Sequence, residues 1–175
     1  DFSVLMNGAD KLLTNGEMVM TWQYNAAQQE SALTYEKENT QIGYVEDGSY
    51  DYHTIGRRSD KEWDEPVKWV GVRQRFFVSI LTAKNRDFTK GNINWVVPDA
   101  DTNIVVQSTA TLTMPVTADG KADFTLYYGP SDYHLLTKYN MKYGKLINLG
   151  QGWQSFVQPI NKFIILPIFN FLEGL

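Results

Sequence analysis

The chain has 175 residues with 20 acidic and 16 basic side chains, for a formal net charge of -4. Lys and Arg are scattered along it, so no basic patch marks a nucleic-acid partner. With no cysteine, disulfides, thiolate zinc sites and cysteine nucleophiles are excluded. The length suits one domain with a sizeable core. The opening Asp1-Phe2-Ser3-Val4-Leu5 reads as the middle of a strand, with no signal-peptide pattern and no initiator Met, so a piece of a larger protein is expected.

From Phe2 to Tyr128 short alternating segments are separated by turn dipeptides, the pattern of an antiparallel β domain. After Asn7-Gly8 and Asn15-Gly16, Met18, Met20, Trp22 and Tyr24 alternate with Val19, Thr21 and Gln23 as a half-buried strand. Ala26 to Glu38, rich in Ala, Gln and Glu, predicts a short surface helix ended by Asn39 and Thr40. Asp47-Gly48 predicts a hairpin between the strand of Ile42 and Tyr44 and that of Tyr50, Tyr52 and Thr54. Ser59 to Pro66, SDKEWDEP, reads as a charged, solvated loop with a nominal Ser59/Glu62 capping box.

Lys68 to Lys84, KWVGVRQRFFVSILTAK, is β-branched and aromatic, which favours one long strand. Val70, Val72, Gln74, Phe76, Val78 and Ile80 would line one face. Trp69, Arg73, Arg75 and Phe77 would share the other and form a candidate ligand or partner face through cation-π or carboxylate contacts. Ile93 to Val97, Ile104 to Thr113 and Ala122 to Tyr128, the last two joined through Met114-Pro115 and Asp119-Gly120, complete the β region. One packed and one wet face per sheet predict a β-sandwich.

The body is therefore expected over residues 1–130, with a short helix and linker over 131–150, capped by Ser131 and striped by Leu135, Leu136 and Tyr139. Residues 151–175 change character. Trp153, Phe156, Val157, Ile160, Phe163 and Ile164 recur at helical spacing, and Phe169 extends the apolar run. That run is far below the roughly 18 to 20 residues a membrane crossing needs, and Pro167 interrupts it. An amphipathic helix lying in a membrane interface, or docked on the domain, is the expectation.

The search for chemistry returns no catalytic constellation. His53 and His134 are the only histidines and neither has metal-ligand spacing. Asp99 and Asp101 sit in a turn and supply too few ligands for calcium. There is no GxSxG, phosphate loop or dinucleotide fingerprint. No catalytic residue, cofactor or metal is expected, and the domain binds or scaffolds.

Three segments in order carry a resemblance: Lys68 to Thr82, KWVGVRQRFFVSILT; Phe124 to Leu136, FTLYYGPSDYHLL; and Leu149 to Leu175, LGQGWQSFVQPINKFIILPIFNFLEGL. Together they resemble the large periplasmic domain of YidC-type membrane protein insertases, in the form found in Bacteroides-like bacteria. The resemblance implies a β-supersandwich similar to galactose mutarotases, incomplete here, with C-terminal helices and an interfacial helix preceding a transmembrane segment. It implies a periplasmic scaffold, a monomer anchored at the inner membrane of a Gram-negative bacterium. That scaffold would help inner-membrane proteins insert and fold, with or without the Sec translocon. Its partners would be Sec components, nascent membrane proteins and the membrane interface. The family's insertion chemistry belongs to a transmembrane core, so no catalytic residue carries over. The mutarotase likeness raises an alternative, a carbohydrate- or polymer-binding sandwich without catalysis, for which His53 and His134 with Glu46 or Asp132 are the candidates. A secreted adhesin or lectin is a third class.

Overall fold

The computed structural model describes residues 1–8, 15–99, 102–117, 119–147, 161–165, 167 and 168. In chain order the elements are β1 (Phe2–Leu5), β2 (Glu17–Ala27), α1 (Leu33–Asn39), β3 (Gln41–Glu46), β4 (Ser49–Thr54) and β5 (Asp60–Trp63). They continue with β6 (Val67–Arg73), β7 (Phe77–Ala83), β8 (Lys90–Val96), β9 (Ile104–Pro115), β10 (Lys121–Pro130), α2 (Tyr133–Thr137), a 3-10 turn (Tyr143–Leu146) and a π-helical turn (Asn161–Ile165). The chain divides into two compact units, Asp1–Asp132 and Tyr133–Leu175.

In the first unit every pairing between strands is antiparallel, within a six-stranded sheet of order β1-β10-β7-β6-β3-β4 and a four-stranded sheet of order β2-β9-β8-β5. The core lies between them. Ile42, Tyr44, Val70, Val72, Leu81 and Phe124 of the larger sheet cluster with Trp63, Ile93, Trp95, Ala110, Leu112 and Met114 of the smaller. The mainly β, antiparallel sandwich follows from the period-2 patterning, because alternate positions of each strand reach this shared apolar space. In the second unit α2 and the 3-10 turn are short, and Leu136, Tyr143 and Leu146 are buried. The short helix expected after Ser131 is present as about a turn and a half, Tyr133–Thr137.

The Asp47-Gly48 hairpin forms as expected. Asp47 and Gly48 take φ of 45° and 67°, both left-handed, which matches the right-handed twist of the flanking strands. Glu46 pairs with Ser49 across it.

Three expectations are corrected. Residues 68 to 84 are a hairpin, not one strand: the Gln74 N–H donates to the Phe77 carbonyl at 2.8 Å, and Trp69 to Arg73 pair with Thr82 to Val78. The turn is built from Gln74, Arg75 and Phe76, none of them a turn-specifying residue, so nothing in the alternation marks it. It also shifts the phase. Val78 and Ile80 share a face with Trp69 and Arg73, while Val70 and Val72 face the inter-sheet core with Leu81.

Asp60 to Trp63 is strand β5, paired with Asn94 to Gly91. Its charges suit an edge strand, where they discourage further pairing, and buried Trp63 anchors it. Finally, Ala26 and Ala27 belong to β2, helix α1 begins only at Leu33, and Glu36 is buried rather than on a surface.

Close approach of β8 to β9 depends on Gly91. A Cβ there would lie 2.6 Å from the Thr111 carbonyl oxygen and 2.9 Å from Leu112 Cδ2. Backbone cannot yield as a flexible side-chain end can. Gly91→Ala is expected to cost about 1 to 3 kcal/mol, read as a lower chemical-denaturation midpoint. Gly56→Ala, with no atom within 4 Å of its added carbon, serves as the control and shifts the midpoint less.

Candidate functional site

Of the expected membrane-interface residues, Trp153, Phe156, Val157, Ile160 and Phe169 lie outside the described residues. Phe163 and Ile164 stand in the π-helical turn Asn161–Ile165 and are exposed, Phe163 by 71%. Ile165 and Ile168 are exposed as well. Four large apolar side chains within six positions thus meet solvent in the second unit, where a soluble body would bury them. No helix among the described residues is long and apolar enough to cross a membrane.

The candidate face on the β6–β7 hairpin is distributed as follows. Trp69 and Arg73 lie on the side of the sheet away from the inter-sheet core. Trp69 is buried, with the Tyr50 ring 6.0 Å away. Arg73 is half-buried, and its Nη1 donates to the Asn39 carbonyl and Gln41 Oε1, each at 3.4 Å. Burial lowers the Arg73 pKa from its ordinary value. Its Nε is buried without a hydrogen-bond partner among the described residues. Phe77 points to the opposite side, stacked on Tyr128 at 6.3 Å. Arg75 sits in the turn, paired with Glu30 at 2.9 Å and lying 5.4 Å from the Tyr35 ring and 5.3 Å from the Phe76 ring. The turn therefore brings Arg75 together with exposed Tyr35 and Phe76, not with Trp69, Arg73 or Phe77.

Beneath that tip lies a buried carboxylate. Glu36 Oε2 accepts from the backbone N–H of Gln29 at 2.9 Å and of Glu30 at 3.1 Å, and its Oε1 accepts from Gln74 Nε2 at 2.9 Å. Gln74 Nε2 also donates to the Ala27 carbonyl at 2.7 Å. Sequence reading missed this knot because Glu36 belongs to a helix of polar composition. The one available signal was Gln74, a polar side chain at an apolar position of the alternation.

A second polar cluster lines the space between the sheets near β5. Tyr44 donates to Asp51 Oδ2 at 3.3 Å, and its hydroxyl is 3.2 Å from His53 Nε2. The His53 ring stacks on Trp95 at 6.3 Å. Lys61 pairs with Glu46 at 3.0 Å and lies 5.6 Å from the centre of the Tyr44 ring. Burial, then the Arg58 cation, lowers the His53 pKa below its ordinary 6.5. Burial and Asp51 raise that of Tyr44. The cluster offers hydrogen bonds and stacking surfaces. Among the described residues no group of three His, Cys, Asp or Glu side chains could hold a metal ion. His134 belongs to the other unit, beside Tyr133.

Two outcomes are expected from these clusters. Glu36→Ala leaves three donors without their acceptor, so it should cost about 2 to 4 kcal/mol, whereas Glu36→Gln, which keeps an acceptor oxygen, costs less in the same denaturation measurement. For His53 the folded state favours the neutral ring. Its stabilising contribution is present above 6.5 and declines as pH falls through that value towards the lower folded pKa. Denaturation curves recorded from pH 7.5 to 5 should show stability dropping in the wild type and dropping less in His53→Gln.

The sequence matches the family model described as the YidC periplasmic domain over residues 5–166. It is similar to the "Membrane protein insertase YidC" of Porphyromonas gingivalis, 26% identical over an alignment of 166 positions that covers 88% of this chain and 26% of that protein. The namesake of Chlorobium limicola is 26% identical over an alignment of 180 positions that covers 99% of this chain and 30% of that protein. That of Azobacteroides pseudotrichonymphae is 28% identical over an alignment of 166 positions that covers 87% of this chain and 26% of its own length. The chain thus spans between 26% and 30% of these relatives. With its antiparallel sandwich and a family match over nearly its whole length, the chain belongs to the YidC periplasmic domain family and lies in the periplasm at the inner membrane.

Proposed function

We propose that this domain is the periplasmic scaffold of a membrane protein insertase. It positions a membrane-embedded partner segment and offers docking surfaces to inner-membrane proteins as they insert and fold, alone or beside Sec translocon components. The relatives' name, insertase, supports the process. The observation that carries the reading is the row of exposed Phe163, Ile164, Ile165 and Ile168 in a periplasmic domain. In this role residues 151–175 form the interfacial junction, with Trp153, Phe156, Val157, Ile160, Phe163, Ile164 and Phe169 as its membrane-facing side chains. The hairpin tip with Arg75, Phe76 and Tyr35 is the docking surface for protein partners, and the domain acts as a monomer without catalysis of its own.

Each large apolar side chain fully removed from water contributes roughly 1.5 to 3 kcal/mol, and an interfacial helix recovers part of that for several residues at once. The test is sedimentation of the protein with zwitterionic phosphatidylethanolamine and phosphatidylcholine vesicles, together with photo-crosslinkers placed at Phe76 and Phe163 in cells. We expect vesicle binding that weakens about tenfold or more in Phe163→Asp/Ile164→Asp, lipid adducts from position 163 and protein adducts from position 76. Absence of vesicle binding overturns the interfacial role. Absence of any insertase, translocon or nascent-chain adduct at position 76 overturns the docking role.

A further inference from the structure

The turn between β6 and β7 is held from outside itself. Gln74, Arg75 and Phe76 include no Gly, Pro, Asn, Asp or Ser, so no local preference sets the backbone there. Bonds to other elements do. The Gln74 N–H closes the turn on the Phe77 carbonyl at 2.8 Å, and the Phe76 carbonyl accepts from the Ser131 N–H, just past β10, at 2.7 Å. The Gln74 side chain is buried, and its Nε2 donates to the Ala27 carbonyl at 2.7 Å and to Glu36 Oε1 at 2.9 Å. Between these anchors the chain carries Arg75 and Phe76 outward, where both are exposed.

An exposed ion pair is a weak constraint on a side chain as long as arginine. Here the partner of Arg75 is itself held. Glu30 pairs with Arg75 at 2.9 Å, and its main-chain N–H donates to Glu36 Oε2 at 3.1 Å, beside that of Gln29 at 2.9 Å. Tyr35, whose ring lies 5.4 Å from the guanidinium, immediately precedes Glu36 in α1. The Glu36 carboxylate, in a residue only 1% exposed, is thus one chain position from Tyr35, and one hydrogen bond from both Gln74, the neighbour of Arg75, and Glu30, its ion-pair partner. All of these contacts lie within the first unit. A carboxylate suits the position because it accepts at both oxygens and donates at neither. An amide there would turn its NH2 on Gln74 Nε2 or on the two main-chain N–H groups. The main chain cannot reverse its donors. Gln74 can, but its oxygen would then face the Ala27 carbonyl.

We infer that Glu36 is a positioning residue for the docking tip. One oxygen holds Gln74 and the other holds the segment that carries Glu30, so that the Arg75 guanidinium is set beside the Tyr35 and Phe76 rings before any partner arrives. The inference rests on the scaffold reading for its biological role and deepens it, by naming the buried group that keeps the docking surface preformed. Association with a preformed surface loses less side-chain and loop freedom than association with one the partner must order. Glu36 does this without touching the partner, because the groups it bonds are buried or main-chain and the groups they carry are the exposed ones.

The test compares Glu36→Gln, Glu30→Gln and Gly91→Ala with the wild type by amide hydrogen exchange, nuclear relaxation of the Arg75 Nε–H, and photo-crosslinking from position 76 in cells. We expect Glu36→Gln to speed exchange of the Gln74 and Ser131 amides about tenfold or more, to loosen the Arg75 side chain and to lower the yield of protein adducts. Glu30→Gln keeps its main-chain bond to Glu36 and loses only the ion pair, so it loosens Arg75 and leaves both amides protected. Gln74→Met, similar in length but without a donor, releases the same arm from the other side and replaces Glu36→Gln if that variant does not fold. Gly91→Ala strains the smaller sheet and leaves the tip as in the wild type. A tip that responds to Gly91→Ala as it does to Glu36→Gln reports general loss of stability and overturns the proposal. Wild-type protection of both amides in Glu36→Gln overturns it too, as does an adduct yield that a loosened tip leaves unchanged. Exchange and relaxation need no partner, which separates the two readings. A tip loosened by Glu36→Gln in a protein whose wild type gives no adducts removes the docking role and supports the positioning, whereas full adducts with an unchanged tip do the reverse.

Discussion

The Glu36 carboxylate sits where three parts of the first unit meet: the chain leaving β2, the helix α1 and the β6–β7 turn. β2 belongs to the smaller sheet and β6 and β7 to the larger, so this one side chain ties the two layers together at their end. Burying a carboxylate costs several kcal/mol in lost hydration, and three N–H donors in fixed positions offset that cost only when all are in place. The apolar core between the sheets contributes far more stabilisation, but it is non-directional and tolerates sliding. The Glu36 knot does not tolerate it. A displacement of the turn by one residue would remove Gln74 from both Glu36 and the Ala27 carbonyl.

This division of labour explains what could be read from the chain alone. Alternation in β2, β9 and β10 and the Asp47-Gly48 turn are local properties, set by side-chain period and backbone sterics, and the sandwich followed from them. The break at Gln74 to Phe76 is not local. A β-branched and aromatic run of seventeen residues satisfies the strand period just as well straight as folded back, and the Gln74 side chain at the turn is held by Glu36, some forty positions away in sequence. β5 was hidden for a related reason. Asp60, Lys61 and Glu62 are solvated on an edge, so their charges resemble those of a loop, and the Trp63 that anchors the strand is a single residue without a period. The family, by contrast, was legible from three ordered segments, because Trp and Phe spacing and a Gly-Pro junction are specific even where the secondary structure is ambiguous.

The candidate face shows the cost of a one-residue error in phase. Placing Trp69, Arg73, Arg75 and Phe77 on one side assumed a continuous strand. The turn sends Phe77 to the core side, leaves Arg73 half-buried, and frees Arg75 to join Tyr35 and Phe76 at the tip. Residues that meet through a turn have no fixed sequence spacing, which is why Tyr35 and Phe76 were not singled out although both are exposed aromatics.

Charge then decides how such a domain would meet a bilayer. Acidic residues exceed basic ones by four, so an anionic lipid surface repels the molecule as a whole. That repulsion is screened beyond roughly 8 Å at physiological ionic strength. The first unit gains nothing electrostatic by lying on lipid, so in the proposed role attachment would rest on apolar contact at the C-terminal segment, where Phe163, Ile164, Ile165 and Ile168 are exposed.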